Sequence, residues 1–194
     1  MSRTFMSKQA KAEYVVSRFC IRVLAARYLG VGRHEIELRK TGKGEPRLVD
    51  PKRARRHRLN VSLSHCIDGV AIAFGGKARV GVDLETHRQR PATTAAVARW
   101  LIGEERALTA PGQIWDCWTR KEALLKGLGV GLAGLGSLRS LEHRINVVRS
   151  ETSWWTVASL SLRADCSLAC AAEGIGRRIK VFTHGPRTMF NRSF

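Results

Sequence analysis

From residue 11 to about residue 30, apolar side chains recur at helical spacing. Tyr14, Val15, Phe19, Val23, Leu24 and Tyr28 supply one apolar face, and Gly30 is a natural stop. A short strand is expected at 35–39. The chain then turns polar: residues 41–58 are rich in Gly, Pro and basic side chains and read as a loop outside the core. Three strands are predicted next, at 59–64, 69–74 and 79–84, with Gly75-Gly76 turning a hairpin between the last two. Past Pro91 the pattern becomes helical again, at 95–101. A charged turn follows at Glu104-Glu105-Arg106, then a well-marked helix at 114–126. Gly127, Gly129, Gly131, Gly134 and Gly136 end that helix in a loop. Strands are expected at 144–148, 154–162 and 167–172. Beyond Gly176 the chain carries Arg177, Arg178 and Lys180 and has little core-forming pattern.

Each half therefore reads as a helix followed by strands. The expected fold is α+β, with two similar halves packed side by side: residues 1–90, residues 91–176, and a basic tail at 177–194. No close internal repeat accompanies this division. A chain of 194 residues, 44% of them hydrophobic, is long enough to bury a sizeable core.

Charge narrows the partners. Lys and Arg number 34 against 16 Asp and Glu, a net charge of +18, which attracts nucleic acid, acidic membranes, phosphorylated cofactors or acidic proteins. The five cysteines are odd in number and form no CxxC, so reduced thiols are expected rather than a disulfide or zinc framework. The longest apolar runs, such as 70–74, are far too short to span a bilayer, and no signal peptide opens the sequence. A soluble cytoplasmic protein is the expectation.

Three short stretches carry candidate chemistry. In Val80-Gly81-Val82-Asp83-Leu84-Glu85, strand alternation sends Val80, Val82 and Leu84 toward a core and Asp83 and Glu85 together to the other face. Gly81 shares the acidic face and would leave room for a ligand. Two adjacent carboxylates call for a cation, and hard oxygen ligands suit magnesium. In Trp118-Thr119-Arg120-Lys121-Glu122-Ala123-Leu124-Leu125-Lys126, residues 118, 122 and 126 share a helix face, setting a third carboxylate one turn from a lysine. Ser64-His65 closes a strand with a side chain able to donate to phosphate. Taken singly, each has a plainer reading: a solvated strand edge, a surface Glu–Lys pair, a histidine satisfying a local hydrogen bond.

Together and in this order, Ser64-His65, the GVDLE strand and the WTRKEALLK helix resemble the signature of the 4′-phosphopantetheinyl transferases. The likeness is to the single-chain, surfactin-synthetase-activating type with two similar halves, and it runs from about Lys11 to Ala172. The resemblance implies that Asp83, Glu85 and Glu122 ligate magnesium and that Glu122 is the general base. It implies that Lys126 stabilises diphosphate charge and that Lys121 assists electrostatically. His65 matches the family histidine that contacts coenzyme A phosphate. A basic helix face of Lys11, Arg18 and Arg22 could hold further phosphate oxygens. Gly44-Glu45-Pro46 puts an acid where the family often has a lysine, with Lys43 or Arg47 as substitutes, and Cys66 stands where a serine is usual.

The implied reaction moves phosphopantetheine from coenzyme A to a serine of an acidic apo carrier protein. A monomer is the simplest expectation. The alternatives are a degenerate coenzyme A-binding homologue and a basic module for nucleic acid or acidic protein. The module disagrees with an acidic strand face, which repels a phosphate backbone unless a metal is bound, and the sequence lacks interleaved stacking aromatics.

Overall fold

The computed structural model describes residues 8–40, 46–49, 59–67, 69–88 and 90–183. Helix α1 (Lys8–Leu29) opens the chain. The helix is where periodicity put it, but its buried side is not. Ile21, Ala25 and Ala26 face inward, while Val15 is 63% and Tyr28 61% exposed. Bulky apolar residues ring this helix, and the side with the small alanines is the one that can sit close to the layer below. There Ala25 and Ala26 pack with Ile36, and Leu38, Leu48, Leu59 and Phe74 close around them.

Strand β1 (Glu37–Lys40) pairs antiparallel with β2 (Pro46–Val49), Leu38 opposite Leu48. Strand β2 falls inside the stretch expected to be loop. Its polar neighbours hid a single apolar pair, and a four-residue strand opened by proline gives little alternation to read.

Strands β3 (Asn60–Cys66) and β4 (Gly69–Gly75) form an antiparallel pair. The expected hairpin between β4 and the next strand does not form. Strand β5 (Val80–Thr86) instead joins β8 (Cys166–Glu173), in a four-stranded antiparallel sheet ordered β5-β8-β7-β6, with β7 at Trp154–Leu160 and β6 at Ile145–Arg149. The Gly76–Ala78 turn is held by a side chain rather than a ladder: the Asn60 amide donates to the carbonyls of Gly76, Lys77 and Ala78. Strand β5 therefore leaves the β3–β4 pair and supplies the edge of the sheet built by the C-terminal strands.

Helix α2 (Pro91–Ala98) begins four residues before the expected start, and α3 (Pro111–Leu128) three before, each with proline at the head of its first turn. Proline lacks only a donor that the first turn leaves unused anyway. Gly129, at φ 72°, caps α3 by donating to the Leu125 and Lys126 carbonyls. Gly127, expected to end the helix, lies inside it. A Cβ there would come within 2.6 Å of the Trp155 ring, so this glycine lets α3 lie close on the sheet.

The sheet is covered on both faces at β5. Helix α3 packs Ala123 and Leu124 against Trp155, Val157, Ala169 and Ala171. On the other face Val82, Leu84 and Leu168 meet Cys66, Ala71 and Ala73 of β3 and β4. Mixed helix and sheet make this an α+β fold. Among the described residues, no helix is long and apolar enough to cross a membrane.

Candidate active site

Alternation along β5 works as the sequence predicts. Val82 and Leu84 enter the core beneath β3 and β4, and Gly81, Asp83 and Glu85 take the face toward α3. The space at Gly81 is not for a ligand, however. A Cβ there would run into the carbonyl oxygen of Ala123, so the missing side chain makes room for the helix backbone itself. That close approach sets the α3 side chains directly against the acidic strand.

Asp83 is 2% exposed. Its Oδ1 accepts from Ser64 Oγ at 2.9 Å and from Lys126 Nζ at 2.6 Å, and Lys126 Nζ also donates to Ser64 Oγ at 3.1 Å. Its Oδ2 is just as buried and has no hydrogen-bond partner. Glu122 is half-buried one turn from Lys126 on the same helix. Burial raises its carboxyl pKa first and the Asp83 charge raises it further, while Lys126 pulls it down. Glu85 is half-buried and stands opposite Ser167 on β8.

The donor types and the orphaned Asp83 oxygen suit a hard cation. The three carboxylates do not form a closed cage: among the described residues, no three His, Cys, Asp or Glu side chains are grouped to hold a metal. The positive charge against Asp83 is the Lys126 ammonium.

Residues 79–168, which contain β5 and α3, match the family model of the 4′-phosphopantetheinyl transferase superfamily. That match covers just under half of the chain. The Nostoc 4′-phosphopantetheinyl transferase HetI is 25% identical over 180 residues, covering 89% of this chain and 75% of the relative. A Synechocystis protein that holds the same transferase name provisionally is 26% identical over 175 residues, 83% of this chain and 69% of its own length. The L-aminoadipate-semialdehyde dehydrogenase-phosphopantetheinyl transferase of Pongo abelii is 26% identical over 139 residues, 65% of this chain and 45% of the relative. Family model and relatives agree on the enzyme class, 4′-phosphopantetheinyl transferase.

In this chain the predicted site residues are only partly brought together. Asp83, Glu122 and Lys126 meet as described. Lys121 does not join them: it is 1% exposed, and its ammonium pairs at 2.9 Å with Glu105 in the core. Glu105 also accepts from the Ile102 and Leu141 backbone N–H groups, so the pair ties α3 to two loops. His65 is exposed, one residue past Ser64 and so on the opposite side of β3. Arg18 and Arg22 line a cavity of about 200 Å³ with Tyr14, Val15 and Leu38. Arg18 is buried, lies 5.0 Å over the Tyr14 ring and leaves its Nε without a hydrogen-bond partner. Arg47 is exposed on β2. Lys43, Glu45, the Lys11 side chain and the Arg-rich stretch at 52–58 lie outside the described residues.

Two features escaped sequence reasoning. Ser62 and Ser64 occupy the buried side of β3, and only their shared parity beside Val61 and Leu63 hinted at it. Near Glu85, Ser167 Oγ donates to Asp116 and lies 2.9 Å from His87 Nε2, a chain linking α3, β8 and the end of β5. Nothing local in the sequence joins those three positions.

Proposed function

We propose that this chain transfers 4′-phosphopantetheine from coenzyme A to a serine of an acidic apo carrier protein, with magnesium, releasing 3′,5′-ADP. The observation that carries the reading is the buried Asp83, with one oxygen unsatisfied, beneath the helix that delivers Glu122 and Lys126. Asp83, Glu85 and Glu122 would hold the ion. Bound there, magnesium would supply Lewis-acid polarisation of the diphosphate.

The rest follows from the chain's own groups. The carrier serine oxygen attacks the β-phosphorus of coenzyme A, and the bond from that phosphorus to the oxygen of 3′,5′-ADP breaks. Glu122 takes the serine proton. A carboxyl held above its ordinary range by burial and a neighbouring charge suits that task, because it keeps the proton it receives. The leaving oxygen departs with the bonding electrons, and Lys126, half-buried and already inclined to an anion, offsets its charge. Lys121 has its charge offset by Glu105 within the core, so its part is to anchor the helix that carries Glu122 and Lys126, without touching substrate. Arg18, Arg22, His65, Arg47 and Lys43 are assigned to the phosphates of coenzyme A, with the unsatisfied Arg18 Nε the best-supported of them. The module plan is the surfactin-synthetase-activating one, 1–90 and 91–176 with a basic tail, β5 being lent by the first half to the sheet of the second. In this reading the enzyme acts as a cytoplasmic monomer.

The second reading is a coenzyme A-binding homologue without turnover, favoured by the Lys126 ammonium standing on Asp83 and by the unclosed carboxylate cage. Release of 3′,5′-ADP with an apo carrier separates the two. Asp83→Ala and Glu122→Gln are each expected to lower it by about 100-fold or more while the protein stays folded. Near-normal turnover by either folded variant sinks the site assignment. Coenzyme A binding by the unmodified protein without any 3′,5′-ADP release favours the second reading.

A further inference from the structure

Strands β3 and β5 belong to different sheets, yet two alternate serines of β3 reach across to consecutive residues of β5. Ser62 Oγ accepts the Val82 N–H at 3.1 Å, which fixes the backbone of β5. Ser64 Oγ, 6% exposed, donates to the next side chain, Asp83. A serine hydroxyl has one proton and two lone pairs. Here the proton goes to Asp83 Oδ1 and a lone pair receives Lys126 Nζ.

We propose that Ser64 is a positioning residue for the metal-facing carboxylate. It commits Oδ1 of Asp83 to an internal pair of donors and so keeps Oδ2 turned out, buried and open to a cation. The inference rests on the magnesium reading above and deepens it. A buried carboxylate oxygen left without a donor is costly, and the arrangement persists because the other oxygen is doubly held. Glu122 adds negative potential at the same place, so a cation is the ligand that the vacant oxygen favours.

Removing the hydroxyl changes both arms at once. Lys126 loses one of its two acceptors and is free to bridge both oxygens of Asp83, competing with the ion. Hydrogen-bond partners of ligating carboxylates are typically worth 10–100-fold in metal affinity. Ser64→Ala is therefore expected to weaken metal binding by about 10–100-fold, with the metal-free protein still folded. Ser64→Cys, which keeps the volume but offers only a weak donor, should behave alike, and Ser64→Thr should restore binding. In turnover, the loss should appear as a higher magnesium requirement, with kcat recovering at saturating magnesium.

The test is titration of the full chain with Mn²⁺ alone, as a spin probe of the magnesium site, following the free-ion electron paramagnetic resonance signal. Weaker binding by the folded Ala or Cys variant, with Thr near the unmodified protein, supports the proposal. Unchanged affinity in a folded Ala or Cys variant, while Asp83→Ala abolishes binding, overturns the role of Ser64 and leaves the metal site standing. No Mn²⁺ binding by the unmodified protein overturns the metal reading and the role of Ser64 together.

Discussion

A carboxylate withdrawn from water normally has donors on both oxygens, and Asp83 has them on one. Other titrating groups in the molecule are better satisfied. Cys117 and Cys170 are pushed up to about 12 and about 11, in both cases chiefly by burial, with the Glu105 charge adding at Cys117. These thiols stay protonated at neutral pH, so a thiol reagent should modify them only after unfolding, read as labelling with and without denaturant. Glu173 moves the other way, to about 2, first because Arg79 hydrogen-bonds it. A depressed carboxyl contributes stability above its ordinary value of 4.5 and loses it as pH falls through about 2. Both partners are partly exposed, so solvent screening keeps the effect small. Glu173→Gln should flatten the fall in melting temperature across that window; an unchanged slope would remove the assignment. At this scale the sequence was most legible where chemistry is written in residue type, at Asp83, Glu122 and Lys126. Ser64 and Lys121 were singled out from the sequence, but their partners were not readable, because these lie far along the chain, at Asp83 and Glu105.

Elements meet in this protein through missing side chains. Gly81 admits the backbone of α3, and Gly127 admits the ring of Trp155. Gly81→Ala should destabilise the fold by about 3 kcal/mol or more, since backbone rather than a flexible side chain must give way, read as a lower denaturant midpoint. A midpoint unchanged by the substitution contradicts the packing described. Breaking the buried pair that anchors α3 should be as costly: Lys121→Met strands Glu105 in the core, at about 3–5 kcal/mol. Helix α3 was legible because its prolines, glycines and periodic face agree. The buried side of α1 was not, since its large apolar residues surround the helix and packing chose Ala25 and Ala26. Strand β2 and the pairing of β5 were hidden for another reason: periodicity names a strand's faces, never its neighbours.

For the whole molecule, β5 is the joint: β3 and β4 on one face, α3 on the other, and β8 along its edge. Local patterning divides the chain near Pro91, and the fold crosses that division at the strand bearing the acidic pair. The net charge of +18 predicts how a partner arrives. Attraction to an acidic carrier should speed encounter and weaken as salt screens it. KM for the carrier should therefore rise with ionic strength while kcat holds, and a KM indifferent to salt argues against an acidic partner.

Intact-mass analysis of an apo carrier protein incubated with this chain, coenzyme A and magnesium tests the proposed transfer. The carrier should gain the mass of one phosphopantetheine, and EDTA should prevent the gain. A carrier unchanged in mass across acyl and peptidyl types, with the chain folded and coenzyme A present, would contradict it.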